Sequence, residues 1–154
     1  MKINDLVTEE TVIMDMRAAN KPELLAELAG RAARLVHLDR LEVFRALLDR
    51  ESFGSTGLGM GVAMPHARFR GLRQPFALFA RLARAIDYHA LDRRPVDLIF
   101  LLLGPEPATS GYLSVLISIS RATRDPTVRE HLRTSTDAQS MLAVFKKDIV
   151  NGRG

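Results

Sequence analysis

The sequence predicts an α/β fold, a single layered domain in which helices flank both faces of a mixed central sheet. Predicted strands alternate with helical segments along the chain. A nearly continuous apolar run at residues 96–103 is typical of a strand that is covered on both faces. Some connections are too short for a parallel crossover, so the sheet should also contain antiparallel neighbours. The 154 residues suffice for one core, and we expect one domain over residues 1–150 followed by a frayed tail at 151–154.

A strand and two capped helices are predicted in the first third of the chain. Residues 11–16 are mostly apolar and predict the strand. Asn20 and Asp39 are each followed three residues later by a glutamate, a pattern typical of helix N-caps. The first helix should end near His37 and the second near Ser52. Apolar side chains recur at intervals of three and four in both segments, so each helix should turn one face towards a core.

The middle of the chain contains three predicted strands. A glycine-rich loop leads into a short strand at residues 61–64, and residues 76–82 predict a second strand. The apolar run at 96–103 is the expected centre of the sheet. Residues 67–74 are largely polar, which predicts an exposed connection.

Three helices are predicted after the central strand. Ser110 is the expected cap of a helix that runs to about Arg124. Asp125 followed by Pro126 predicts the next helix, because aspartate caps well and proline fits the first helical position. A third helix should begin near Thr136 and carry apolar residues almost to the end of the chain.

Composition and charge exclude several classes of function. The chain has no cysteine and its four histidines show no ligand-like spacing, so neither a metal nor another cofactor is expected. The net charge is +4, but arginines occur singly along the helices without a dense basic block, which argues against nucleic-acid binding. The apolar run at 98–103 is too short to span a bilayer, and the N-terminus lacks a signal-peptide core. We therefore expect a cytoplasmic protein.

Residues 54–66 are the most informative segment, because a glycine-rich loop with hydroxyl side chains leads directly to a histidine. Glycines allow backbone N–H groups to turn inward, where they can receive an anion. Pro65 restricts the backbone just before His66 and thus holds the imidazole firmly. A neutral imidazole, with an ordinary pKa of about 6.5, is a competent nucleophile near neutral pH. We interpret the segment as a phosphohistidine site, in which one ring nitrogen attacks and the other carries the proton.

The predicted phosphoryl-binding loop comprises Gly54, Ser55, Thr56 and Gly57. The two hydroxyls either bind a phosphoryl oxygen or the imidazole, or they bind the local backbone as loop serines and threonines commonly do. Arg50 either reaches an oxyanion with its planar guanidinium or serves as a cation at a helix C-terminus. A nucleotide-binding loop is disfavoured, because such motifs have a strand before the loop and a helix after it.

Two segments resemble the signatures of a known family. Residues 50–66, from Arg50-Glu-Ser-Phe-Gly-Ser-Thr-Gly to Val-Ala-Met-Pro-His66, resemble the active-site segment of the IIA proteins of the bacterial phosphoenolpyruvate-dependent phosphotransferase system, fructose/mannitol type. Residues 88–105 resemble that family's second signature, and the likeness covers residues 1–148. Because no IIB or IIC domain is attached, the chain is most similar to the nitrogen-regulatory IIA branch, whose members carry phosphate for signalling.

This resemblance implies a phosphoryl relay. His66 would accept a phosphoryl group on Nε2 from an HPr-like carrier, which an Enzyme I charges from phosphoenolpyruvate. Arg50 would steady the phosphoryl oxygens, with the glycine loop around them. The downstream partner is a regulatory target or, in the sugar-specific alternative, a separate IIB component. A third interpretation is a regulator that acts by stoichiometric binding, with a weakened phosphoryl cycle.

One position departs from the family's pattern. The family usually has a second histidine beside the first, and here Tyr112 takes its place. A tyrosine hydroxyl can donate one hydrogen bond to a phosphoryl oxygen but carries no positive charge. Tyr112 is therefore a candidate site residue that supports the phosphorylated state less than a histidine would, and the alternative is that it serves packing alone.

Overall fold

The computed structural model describes residues 1–150, with side chains through residue 146, and it consists of a six-stranded sheet and five α-helices. Two short 3-10 turns precede the sheet. The predicted tail at 151–154 lies outside the described residues. The strands are β1 (Val12–Met16), β2 (Gly57–Gly59), β3 (Val62–Ala63), β4 (His66–Phe69), β5 (Phe76–Ile86) and β6 (Val96–Pro105), and the helices are α1 (Lys21–Val36), α2 (Arg40–Ser52), α3 (Ser110–Arg124), α4 (Pro126–Thr134) and α5 (Ala138–Val150).

The sheet is mixed, as predicted, and β6 lies at its centre. The strand order is β1-β5-β6-β3-β2, and β4 also pairs with β6. Strands β3 and β4 run parallel to β6, whereas β5 runs antiparallel to it. Strand β1 is parallel to β5 and β2 is antiparallel to β3. The connection from β5 to β6 is short, which is why these two neighbours run in opposite directions.

Helices cover both faces of the sheet, which confirms the layered architecture. Alternate side chains of β5 and β6 enter two separate cores. Leu78 and Leu101 contact α1 and α2 residues in one core. In the other core, on the side of α3, α4 and α5, the rings of Phe79, Phe100 and Phe145 meet with centroids 4.9 to 5.8 Å apart. This alternation follows from the two-residue period of a strand.

Three predicted helix caps are confirmed. The side chains of Asn20 and Asp39 each accept the backbone N–H of the residue three positions later. Asp125 caps α4 by accepting the N–H of Thr127, two positions later, with Pro126 at the first helical position. These short polar side chains satisfy N–H groups that the first turn of a helix leaves free.

Two other caps were predicted one residue away from their true position. The cap of α3 is Thr109, whose hydroxyl accepts the N–H of Tyr112, and not Ser110. Helix α5 begins at Ala138, and Asp137 accepts at its start, so the prediction at Thr136 was one residue early, whereas that at Ser110 was one residue late. Several neighbouring residues before α3 and before α5 have side chains that can cap a helix, and the backbone conformation decides which of them does so.

The prediction of an exposed connection at 67–74 is wrong for its first part. His66–Phe69 forms β4, which is parallel to β6 in the register His66 with Leu102. Phe69 is buried in the core on the α1 and α2 side. The arginines of this segment masked a short alternating pattern, in which polar and apolar residues point to opposite faces. Strand β5 is likewise longer than predicted and reaches Ile86.

Candidate functional site

A cleft of about 430 Å³ opens where the end of α2, strand β4 and the start of α3 meet. It contains three of the predicted site residues, His66, Arg50 and Tyr112. We call it the histidine cleft, and it is lined by Ala46, Asp49, Arg50, Phe53, His66, Ala67, Arg68, Glu106, Tyr112, Leu113 and Leu116.

The ring of His66 is held in one tautomer. Its Nδ1 lies 2.8 Å from the carbonyl oxygen of Met64. A carbonyl oxygen only accepts hydrogen bonds, so Nδ1 carries the proton and Nε2 keeps its lone pair. Pro65 between them is buried and limits the motion of the backbone. The nitrogen with nucleophilic character is therefore Nε2.

Its surroundings keep the imidazole of His66 uncharged. Burial lowers the pKa of His66 below its usual value of 6.5, the hydrogen bond with Met64 raises it less, and the charge of Arg50 lowers it further. Desolvation disfavours the charged form of a histidine, and so does a nearby cation. At neutral pH the ring is thus uncharged, the form in which an imidazole nitrogen can act as a nucleophile.

Arg50 lies in the last turn of α2 and lines the same cleft as His66. Its Nη1 donates to the carbonyl oxygen of Gly54 at 3.0 Å, which ties the guanidinium to the start of the glycine loop. The two interpretations of Arg50 are therefore compatible: it is a cation at a helix C-terminus and it also belongs to the cleft. A guanidinium carries several N–H donors in one plane, so it can hold the loop and face an anion together.

Tyr112 occupies the first turn of α3 and is only 3% exposed. Its ring packs against the backbone of Gly104, where any side chain would collide with the tyrosine ring. Burial raises the pKa of Tyr112, so its hydroxyl stays protonated at neutral pH and can donate. Packing is thus a real role of this residue, and its position in the cleft is compatible with a second role as a donor.

Three charged residues of the cleft, Asp49, Arg68 and Glu106, were missed by the sequence analysis. Arg68 lies two residues after His66 in β4, and its Nη2 is 3.5 Å from Oε2 of Glu106. Both side chains line the cleft. The signal that would have found Arg68 is the two-residue spacing from His66 in a strand, which was hidden when the segment was interpreted as a connection.

Beside the cleft, a buried polar cluster holds the glycine loop. We call Lys21, Glu51, Thr56 and Tyr88 the loop anchor. The carboxylate of Glu51 accepts the Thr56 hydroxyl, the Thr56 N–H at 3.1 Å and the Lys21 ammonium at 2.8 Å. The hydroxyls of Thr56 and Tyr88 are 2.9 Å apart, and Lys21 lies over the Tyr88 ring. Both polar groups of Thr56 are therefore engaged by the anchor.

The remaining loop residues bind the local backbone or permit close packing. The hydroxyl of Ser55 accepts the N–H of Gly57 at 3.1 Å. Gly54 has φ +147°, a conformation that favours glycine, and a side chain at Gly57 would collide with Ala90. The structure thus brings His66 and its cationic and phenolic neighbours into the cleft, whereas residues 54–57 are not part of its lining.

Two negative findings apply to the described part of the chain. Among these residues, no group of three histidine, aspartate or glutamate side chains is placed to hold a metal ion. No helix among them combines the length and apolar character needed to cross a membrane.

Comparisons with known proteins find relatives over nearly the whole chain. Residues 5–148 match the sequence model of a family described as phosphoenolpyruvate-dependent sugar phosphotransferase system, EIIA 2. A nitrogen regulatory protein of Bradyrhizobium diazoefficiens is 44% identical over 145 residues, which are 94% of this chain and 95% of the relative. A fructose-specific EIIA component of Haloferax volcanii is 36% identical and covers 82% of this chain and 81% of the relative.

Solved structures show the same fold. The crystal structure of the nitrogen regulatory protein IIA-Ntr from Neisseria meningitidis superimposes with a TM-score of 0.88 at 36% identity, over 93% of this chain and 98% of that chain. IIA mannitol from Escherichia coli superimposes with a TM-score of 0.76 over 90% of this chain and 98% of that chain, and at 20% identity it supports the fold alone. The chain belongs to the EIIA 2 family of the phosphoenolpyruvate-dependent sugar phosphotransferase system.

Proposed function

We propose that this protein is a cytoplasmic phosphocarrier that accepts a phosphoryl group on Nε2 of His66 from the phosphohistidine of an HPr-like protein. The observation that carries this proposal is the hydrogen bond from Nδ1 of His66 to the carbonyl of Met64, at 2.8 Å. It leaves Nε2 as the free nucleophile of a cleft that also contains two arginines. A neutral nucleophile beside fixed cations suits the acceptance of an anionic group.

The transfer step balances without a cofactor. The lone pair of Nε2 forms a bond to phosphorus while the N–P bond of the donor breaks, and that electron pair stays on the donor's imidazole, which leaves as a neutral ring because its other nitrogen carries a proton. The Nδ1 proton of His66 stays on the ring, held by the Met64 carbonyl. Arg50 and the Tyr112 hydroxyl donate to the phosphoryl oxygens, so catalysis consists mainly of positioning and charge stabilisation.

The surface around the cleft supports a protein as the donor. Phe53 is 81% exposed and Leu113 is 49% exposed, and both line the cleft. Large apolar side chains that remain in water commonly mark surfaces where another protein docks. The exposed apolar side chains at the rim therefore favour a protein over a small molecule as the phosphoryl donor.

We assign the phosphorylated and free forms a regulatory role. This rests on the similarity to nitrogen regulatory proteins over nearly the whole chain. Phosphorylation adds a charge of about −2 to the mouth of the cleft, which changes the partner surfaces that can dock there. The second candidate is a sugar-specific IIA that passes phosphate to a separate IIB, and the similarity to a fructose-specific EIIA component favours it.

The first experiment measures phosphoryl acceptance. The protein is incubated with phosphoenolpyruvate, Enzyme I and an HPr-like carrier, and intact-mass spectrometry under neutral conditions should show one added phosphoryl group. His66→Asn should abolish the addition, whereas His89→Asn, a change at an exposed histidine outside the cleft, should preserve it. Label that persists in His66→Asn would contradict the proposed acceptor.

The second experiment separates the two roles. A fructose- or mannitol-type IIB is added to the phosphorylated protein, and loss of the phosphoryl group is followed over time. Retention of phosphate on His66 favours regulation, whereas rapid transfer to IIB favours the sugar-specific role. Equal binding of a regulatory target to both forms would instead indicate the stoichiometric regulator.

A further inference from the structure

We propose that Arg68 is a phosphoryl-binding residue, which leaves Glu106 and turns to the phosphoryl oxygens when His66 is phosphorylated. This inference rests on the proposed function of His66. It adds a second cation to the site, at the point where Tyr112 offers a hydroxyl but no charge. The exchange is noncovalent, because it replaces one ion pair by another.

Strand geometry places Arg68 beside His66. Alternate residues of a strand point to the same face, and these two are separated by one residue in β4. The neighbouring positions Ala67 and Phe69 contact the core on the α1 and α2 side. His66 and Arg68 therefore project towards α3, and both line the histidine cleft.

The ion pair that Arg68 forms is a weak one. Nη2 of Arg68 lies 3.5 Å from Oε2 of Glu106, and the two side chains are 44% and 41% exposed. Exposed pairs of this kind contribute little free energy. A phosphoryl group offers about two negative charges and three acceptor oxygens, so it attracts a guanidinium more strongly than one carboxylate does.

The charge distribution in the cleft supports the same assignment. The basic side chains of its lining are Arg50, His66 and Arg68, and its acidic side chains are Asp49 and Glu106. Arg50 is already tied to the Gly54 carbonyl, whereas Arg68 is held by an exposed pair. Burial has the largest effect on both rings, lowering the pKa of His66 and raising that of Tyr112, and the charge of Arg68 acts on both pKa values in the lowering direction, as expected for a cation close to both rings.

The exchange predicts opposite effects for the two partners of the pair. Arg68→Gln removes the cation from the phosphorylated form, whereas Glu106→Gln frees that cation from its competitor. The measurement is the equilibrium constant for phosphoryl exchange between the HPr-like carrier and this protein, from the ratio of intact masses. We expect Arg68→Gln to lower the constant about fivefold and Glu106→Gln to raise it about two- to threefold.

A matched control is available in β5. Arg84→Gln makes the same chemical change at an exposed arginine that is not part of the cleft. Arg84 lies near Ile86, which pairs with Val96, whereas His66 pairs with Leu102. The control should leave the exchange constant within about a factor of 1.5, because the charge is distant and screened.

A second background sharpens the test. Tyr112→His provides a side chain that can carry charge near the phosphoryl group, so Arg68→Gln should lower the exchange constant less in that background than in the wild type. Arg68→Lys should restore part of the loss, because the charge returns without the planar donor fork.

The possible outcomes separate this inference from the proposed function. If the wild type takes no phosphoryl group on His66, both fail. If the wild type is phosphorylated but Arg68→Gln leaves the exchange constant unchanged, only the inference fails. A purely structural role of the pair predicts that Arg68→Gln and Glu106→Gln shift the constant in the same direction, and that result would also overturn the inference.

Discussion

The loop anchor and the histidine cleft are neighbours with opposite electrostatic design. In the loop anchor, Glu51 is 6% exposed and accepts from Lys21 and Thr56, so a buried charge has its partners within the protein. In the histidine cleft, Arg50 and Arg68 remain partly exposed to water. The polar groups of the loop anchor bind one another and stabilise the structure, whereas the arginines of the histidine cleft remain accessible to an incoming anion.

The two regions diverge at adjacent residues of one helix. Arg50 and Glu51 both lie in the last turn of α2. Consecutive residues of a helix point about 100° apart around its axis. The first therefore projects into the cleft and the second into the protein, beneath the glycine loop. A buried carboxylate must be paired, whereas a receptive cation must remain accessible, so these neighbours meet different requirements.

The largest expected effect comes from breaking the loop anchor. Glu51→Ala removes the acceptor of the Lys21 ammonium and of the Thr56 N–H and leaves the Thr56 hydroxyl only its contact with Tyr88, and we expect the free energy of unfolding to fall by about 3 kcal/mol. Urea unfolding followed by circular dichroism measures this loss.

An exposed ion pair provides the control for that change. Glu27→Ala removes a partner of Arg31 at 3.4 Å on the surface of α1, and its effect should stay below about 0.5 kcal/mol. A loss of similar size in the two variants would mean that the loop anchor stabilises no more than a surface pair does.

A smaller effect, confined to reactivity, is expected in the histidine cleft. Arg50→Met should slow phosphoryl acceptance by His66 about 30-fold, because one charge-assisted donor to the phosphoryl oxygens is lost. The free energy of unfolding should change by less than about 1 kcal/mol, since the bond from Arg50 to Gly54 is exposed. Rapid-quench kinetics measure the rate of phosphoryl acceptance, and urea unfolding measures the free energy of unfolding. A stability loss as large as that of Glu51→Ala would contradict the proposed difference between the histidine cleft and the loop anchor.

The smallest effect concerns pH. The pKa of His66 is lowered by burial, so the neutral ring dominates at and above the usual value of 6.5. The rate of phosphoryl acceptance should be flat from about pH 8 down to about 6.5 and should decline only below that, as the ring gains a proton.

Removal of Arg50 should shift this profile. The charge of Arg50 also lowers the pKa of His66, so in Arg50→Met the decline should begin at a higher pH than in the wild type. NMR titration of the His66 ring checks both profiles. A wild-type ring that becomes protonated above pH 6.5 would contradict the neutral state on which the cleft depends.

Much of the fold could be predicted because its signals are local. Asn20 and Asp39 cap their helices with their own side chains, and the apolar run within β6 reports burial on both faces. Strand β4 could not be predicted in the same way. Its four residues form a strand because β6 supplies a parallel partner. That partner lies more than 30 residues further along the chain, so the sequence near His66 does not indicate the pairing.

The candidate site was predicted unevenly for the same reason. His66 and Arg50 were found because glycine, proline and arginine occur close to them in the chain. Glu106 and Tyr88 were not found, because they are distant in sequence from the residues that they contact. The phosphoryl-binding role predicted for Thr56 stays a prediction, and the contacts of its N–H and hydroxyl with Glu51 favour a role in holding the loop.

The sequence by itself determined the family resemblance, the capped helices and the central strand, and it predicted His66 as the nucleophile. These depend on residues within a few positions of one another, where spacing and propensity act directly. Only the tertiary structure decided which nitrogen of His66 is free, where Arg68 projects and which polar groups bury one another. Such outcomes depend on contacts between segments that are distant in the chain, and those contacts exist only once the sheet and its helices have packed.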